Sequence, residues 1–192
     1  MSDILYPTKP PAEPPKPKRL SPEQRNLPGL WMTHDPAVYY DAERQNYYLY
    51  CTGAICRRSA DLLHWETLGK VVDNPPEESA AWTGSLDIWA PDIVKVGGEY
   101  RLYCSNSSWG VRQSCIFLAV SDNPEGPFTP KACVLKTTDE LPVNAIDANI
   151  IEDADTGEQY LLYGSFWGGC HILPLDRKTG LAAEPGIGSC IA

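Results

Sequence analysis

From Leu30 onward the chain alternates short runs of β-branched and aromatic residues with polar, turn-forming stretches. The runs AVYY, NYYLYCTG, DIVKV, EYRLYCSN, CIFLAVS, NIIED, QYLLYGSF and CHILPL begin at residues 37, 46, 92, 99, 115, 149, 159 and 170. Between or after them lie DAERQN, VGGE, DNPEGP, DADTGE and DRKTG, rich in the Asp, Asn, Gly and Pro that close tight turns. Residues of the first kind fit a pleated, half-buried surface, so each run predicts a β-strand. No window of a dozen residues keeps a 3.6-residue hydrophobic period, which makes helices rare. Only residues 75–81 hold enough for a helical turn.

Three segments repeat one plan: HDPAVYYDAERQNYYLYCTG from His34, APDIVKVGGEYRLYCSN from Ala90 and AIDANIIEDADTGEQYLLYGS from Ala145. Each has an Asp, an apolar run, a polar turn, then a Tyr-rich strand ending in small residues. The aspartates are Asp35, Asp92 and Asp147, spaced by 57 and 55 residues. A repeat of that length built from four short strands is a β-propeller blade, so the fold class expected is all-β, a partial propeller of about three blades. The first strand of each unit lines the central channel, and carboxylates at equivalent places of adjacent blades converge on one funnel. An isolated Asp-Pro reads more simply as a turn or cap; three aspartates in register at the repeat period reverse that reading.

Composition adds limits. The first 28 residues contain eight of the 18 prolines and almost no hydrophobic periodicity, so 1–29 is expected to be an extended or disordered arm and 30–192 the propeller domain. Sixteen Lys and Arg against 25 Asp and Glu give a net charge of −9, the wrong balance for a nucleic acid or an anionic membrane. No run approaches the length of a membrane-spanning helix, and the N-terminus shows no signal-peptide core. Six Trp and ten Tyr against three Phe favour rings with a polar handle, suited to sugars and also to sheet cores. The seven cysteines have no C-x-x-C spacing; their scatter favours reduced thiols in a cytosolic chain, with disulfides in an exported protein the alternative.

Trp89, Trp109 in SNSSWG, and Phe166 with Trp167 in GSFWGG fall at strand ends, where aromatic faces beside Asn and Ser could line a site for a neutral glycan. Trp65, in DLLHWETLG, is expected to pack in the core. His64 and His171 stand alone, and no two histidines have metal-site spacing. The acidic stretch 153–158 lacks the ligand spacing of a calcium loop and reads as a hairpin turn.

Taken in order, His34-Asp35-Pro36, Trp89-Ala90-Pro91-Asp92, Asn144-Ala145-Ile146-Asp147 and Gly164-Ser165-Phe166-Trp167-Gly168-Gly169 resemble glycoside hydrolase family 43, five-bladed propeller glycosidases, and within it the arabinanases. The resemblance implies inverting hydrolysis of arabinan, with Asp35 as the general base and Asp147 tuning the pKa and orientation of a separate glutamic acid. Inversion needs one ionised carboxylate to deprotonate water and one protonated carboxyl to protonate the leaving oxygen. By the same resemblance Asn144, Ser165, Phe166 and Trp167 contact sugar. His34 holds the base or closes the pocket, and Asp92 is structural or substrate-orienting. A calcium ion in the central channel is a further implication, through a histidine not found here.

The family's general acid lies in a Glu-Ala-Pro context that this sequence lacks; Glu152, Glu158 and Glu184 are not at matching positions. The expectation is therefore an N-terminal portion of a hydrolase, C-terminally incomplete, inactive alone and prone to self-association through an open edge. Two alternatives stay open: a non-catalytic carbohydrate-binding fragment, or an arabinofuranosidase or β-xylosidase on the same scaffold.

Overall fold

The computed structural model describes residues 33–192. The Pro-rich arm expected over 1–29 lies outside them. Twelve strands form three four-stranded antiparallel sheets, each with its strands in chain order. The first blade contains β1 (Ala37–Asp41), β2 (Asn46–Cys51), β3 (Ile55–Ser59) and β4 (Glu66–Lys70). The second contains β5 (Ile88–Val96), β6 (Glu99–Asn106), β7 (Cys115–Ser121) and β8 (Thr129–Lys136), and the third β9 (Asn149–Glu152), β10 (Gln159–Ser165), β11 (Gly169–Leu175) and β12 (Ser189–Cys190). The eight runs picked out by periodicity all fall on strands. One short helix, α1 (Glu77–Thr83), covers the expected helical turn, with Pro76 at its N-cap and Gly84 ending it in left-handed backbone at φ 68°.

Four strands escaped the periodicity. β3, ICRRS, carries two arginines in mid-strand: Arg57 is buried, and Arg58 bridges Glu66 and Glu125 at 2.7 Å each. β4 is short and largely exposed, and the β3–β4 register shifts between Cys56 and Arg57. β8 begins Thr129-Pro130-Lys131, acceptable because it is an edge strand. β12 has only two residues.

The blades pack face to face through two clusters. Between the first and second lie Tyr48, Tyr50, Leu102, Cys104 and Phe117; between the second and third lie Tyr103, Ile116, Leu118, Leu161 and Leu173. The middle blade is therefore covered on both faces, which is why β6 and β7 are almost wholly buried while β1 alternates. Tyrosines pin each blade to the next. Tyr50 Oη donates to the Pro124 carbonyl at 2.5 Å and Tyr103 Oη to the Gly180 carbonyl at 2.9 Å. Near the far end of β1, Tyr100 Oη donates to the buried Asp41, and Arg44 Nη1 donates to Tyr100 Oη at 2.8 Å and to Asp41 Oδ2 at 3.1 Å. Trp65, expected in the core, is half-buried before β4 with its indole N–H on the Leu62 carbonyl, in neither cluster.

Candidate active site

Asp35, Asp92 and Asp147 line one cleft of about 380 Å³, together with Pro36, Ala90, Pro91 and Asn149. Three residues 57 and 55 positions apart thus share one site because they lie just ahead of or within the inner strands of successive blades. Their places in the repeat are not equivalent, however. Asp35 and Asp147 each stand two residues ahead of a strand, in left-handed backbone at φ 51° and 60°. Asp92 lies inside β5, opposite Tyr103, and the left-handed residue of that blade is Ala90 at φ 31°. The β5–β6 register shifts between Trp89 and Asp92, so the second-blade aspartate sits deeper along its strand.

Each carboxylate has a different environment. Asp35 Oδ2 lies 2.6 Å from His34 Nδ1 and accepts the Thr52 hydroxyl at 2.9 Å. Among the described residues no hydrogen bond engages its Oδ1. Asp92 Oδ2 accepts the Ile150 N–H at 2.6 Å and Asn149 Nδ2 at 3.2 Å, tying β5 to β9. Burial pushes Asp92 above the ordinary aspartate range, with these hydrogen bonds opposing. Asp147 is pushed up to about 6, first by burial and then by the negative charge of Asp35, with His34 acting against both.

The remaining expected residues do not line the cleft. Trp89 is half-buried in β5 opposite Ser105, and Trp109 stands 93% exposed beyond β6. Asn144 is buried, donating from Nδ2 to the Val111 carbonyl at 3.2 Å. Its Oδ1 and the Ser165 hydroxyl oxygen are buried without hydrogen-bond partners among the described residues. Phe166 and Trp167 pack 4.8 Å apart, and the Arg112 guanidinium lies 5.6 Å from the Trp167 ring centre. Their turn is seated by Gly168, at φ 76°, where any Cβ would strike the Pro142 carbonyl. Because β10 runs antiparallel to β9 and ends beyond its start, Ser165, Phe166 and Trp167 stand at the carboxylate end of the third blade.

Sequence reasoning missed Thr52, Ser105 and Asn149. Thr52 and Ser105 follow Cys51 and Cys104 at matching places of the first two Tyr-rich strands, a recurrence that could have exposed them. Of the glutamates singled out, Glu152 pairs with Arg177 at 2.5 Å, Glu158 accepts Tyr160 Oη at 2.7 Å, and Glu184 lines a separate groove. Asp153 and Glu158 close the β9–β10 hairpin. His64 pairs with Asp61 at 2.7 Å, and buried His171 lies 3.2 Å from the Ile187 carbonyl. Among the described residues no group of three or more His, Cys, Asp or Glu is placed to hold a metal ion.

A comparison with family models matches residues 30–185 to Glycosyl hydrolases family 43. The chain is 31% identical over 185 residues to an extracellular endo-α-(1→5)-L-arabinanase of Thermotoga petrophila, covering 82% of this chain and 38% of that protein. The solved structure of the T. petrophila endo-1,5-α-L-arabinanase superposes with a TM-score of 0.75 at 30% identity, over 85% of this chain and 43% of the other. An exo-1,5-α-L-arabinanase from a bovine ruminal metagenomic library gives 0.74 at 30% identity, over 83% and 55%. The α-L-arabinanase of Cellvibrio cellulosa, solved with arabinohexaose, gives 0.72 at 28% identity, over 80% and 51%. The chain thus spans well under two thirds of each of these proteins. With a family match over residues 30–185 and arabinanase structures superposing on most of its length, the chain belongs to glycoside hydrolase family 43.

Proposed function

We propose that this chain supplies the base side of an arabinan-hydrolysing site that works with inversion on 1,5-linked α-L-arabinan. The observation that carries the reading is the shared cleft of Asp35 and Asp147, together with the likeness to arabinanases. Asp35, which lines the cleft and is held through one oxygen while the other makes no hydrogen bond, deprotonates the attacking water. Asp147, partly withdrawn from water and beside Asp35, supports and orients the acid. Asp92, already accepting two hydrogen bonds, orders the cleft wall. His34, Trp89, Trp109, Asn144, Ser165, Phe166 and Trp167 are the candidate contacts for a neutral sugar chain.

No described glutamate lines the cleft, so the chain alone is expected to turn over linear arabinan about 10²–10⁴-fold more slowly than an enzyme with a placed general acid. That absence also favours a second reading, a carbohydrate-binding blade set without catalysis. Calorimetry with arabinohexaose and reducing-end release from linear arabinan separate the two, using wild type and Asp35→Asn. The hydrolytic reading expects binding in both proteins and slow release only in wild type. Binding with no release from either favours the second reading; no binding and no release overturns both. Xylan as a parallel substrate reports the β-xylosidase alternative.

A further inference from the structure

We propose that Thr52 and Ser105 are a matched pair of positioning residues, each hydroxyl holding a left-handed residue within two positions of the start of the following blade's inner strand and thereby setting the carboxylates across the blade junctions. This rests on the reading of Asp35 and Asp147 as working carboxylates. At the first junction the Ala90 N–H donates to Thr52 Oγ1 at 3.2 Å; at the second the Asp147 N–H donates to Ser105 Oγ at 2.9 Å. The two recipients are the residues at φ 31° and 60°. Non-glycine residues are disfavoured in that region, so their conformation needs outside support. A hydroxyl from the preceding blade is the support both share.

The Thr52 contact has a second consequence. A hydroxyl has one hydrogen, and with the Ala90 N–H on one of its lone pairs, that hydrogen goes to Asp35 Oδ2 at 2.9 Å. One side chain thus joins the base to Ala90, the third residue of the next inner strand. Position matching confines the pair to these junctions. The Thr52 N–H bonds the His34 carbonyl at 3.0 Å, and its counterpart in the third blade, the Gly164 N–H, bonds the Ile146 carbonyl at 2.9 Å. Gly164 has no hydroxyl, and no further inner strand follows β9 among the described residues.

The titration of Asp147, followed by carboxyl-carbon NMR on the full chain, tests the proposal without relying on turnover. The charged groups facing Asp147 in and beside the cleft are Asp35, Asp92 and His34. In Ser105→Ala the Asp147 N–H loses its acceptor and the segment relaxes toward solvent. The midpoint is expected to fall by roughly 0.5–1 pH unit, about a three- to tenfold loss of proton affinity, and Ser105→Thr to restore it. In Thr52→Val, Asp35 is freed to turn into solvent, its field at Asp147 weakens, and the midpoint falls in the same direction; Thr52→Ser restores it. If Ser105→Ala does not fold, the half-exposed Thr52 pair carries the test alone. An unchanged Asp147 midpoint in a folded Thr52→Val or Ser105→Ala protein overturns the proposal. So does a shift that the conservative replacement leaves in place. Failure of the functional reading is distinct, because it appears as absent arabinan binding and release.

Discussion

At the scale of single residues, protonation separates two aspartates with opposite effects on stability. Asp147 is raised to about 6 by burial and by Asp35, so the folded chain binds its proton more tightly than the unfolded chain does. That stability is present below the unfolded value and is lost as pH rises through about 6. Asp147→Asn is therefore expected to be more stable than wild type at pH 7, with no advantage left near pH 4; as the carboxylate opens to solvent, the gain should not exceed ~1 kcal/mol. Thermal melts at the two pH values check this. Burial also pushes Asp41 upward, but hydrogen bonds from Tyr100 and Arg44 win and hold it below the usual range. Its contribution is present above the unfolded value and fades as pH falls through the depressed one. Asp41→Asn should cost about 2 kcal/mol in urea unfolding at neutral pH and progressively less in acid. Asp35 and Asp147 were legible in the sequence because they recur at one period. Thr52 and Ser105 were not, because their partners are backbone groups 38 and 42 residues away, and a hydroxyl at a strand end looks generic.

At the scale of elements, strands were legible wherever the side-chain alternation reported burial. β3 was not, because two arginines interrupt its apolar pattern and find their partners in other segments. β8 was masked by a proline that only an edge strand tolerates. The displaced Asp92 shows the same limit: motif spacing implied equivalence with Asp35 and Asp147, and a register shift after Trp89 set it apart. The GSFWGG turn offers an element-level test. Gly168→Ala forces a Cβ against the Pro142 carbonyl from a left-handed backbone, and roughly 1–3 kcal/mol of destabilisation is expected. Intrinsic Trp fluorescence should report the accompanying shift of Trp167, whereas an unchanged melt and spectrum would show that the turn is not seated as described.

For the whole molecule, the blade plan was legible from the repeat, since 57- and 55-residue spacings correspond to one four-stranded sheet each. The sequence did not reveal how the blades depend on one another, because each interface is assembled from residues of two repeats. Stability in such a stack is approximately a sum of units and nearest-neighbour interfaces. Leu161→Ala, in the cluster joining the second and third blades, should cost about 2–5 kcal/mol, and hydrogen exchange should show β9, β10 and β11 opening while β2 and β6 stay protected. Uniform loss of protection would mean that the three sheets behave as one cooperative unit.

The distribution of the seven thiols gives this order of opening a chemical readout. Cys51, Cys56, Cys104 and Cys115 are buried in the first two blades, Cys133 is partly covered, and only Cys170 and Cys190, both in the third, are exposed. Burial also pushes the Cys56 and Cys104 thiols upward, away from the reactive thiolate form. A maleimide dye should accordingly mark the third blade first under native conditions, and each additional label taken up with rising denaturant would time the exposure of an earlier one.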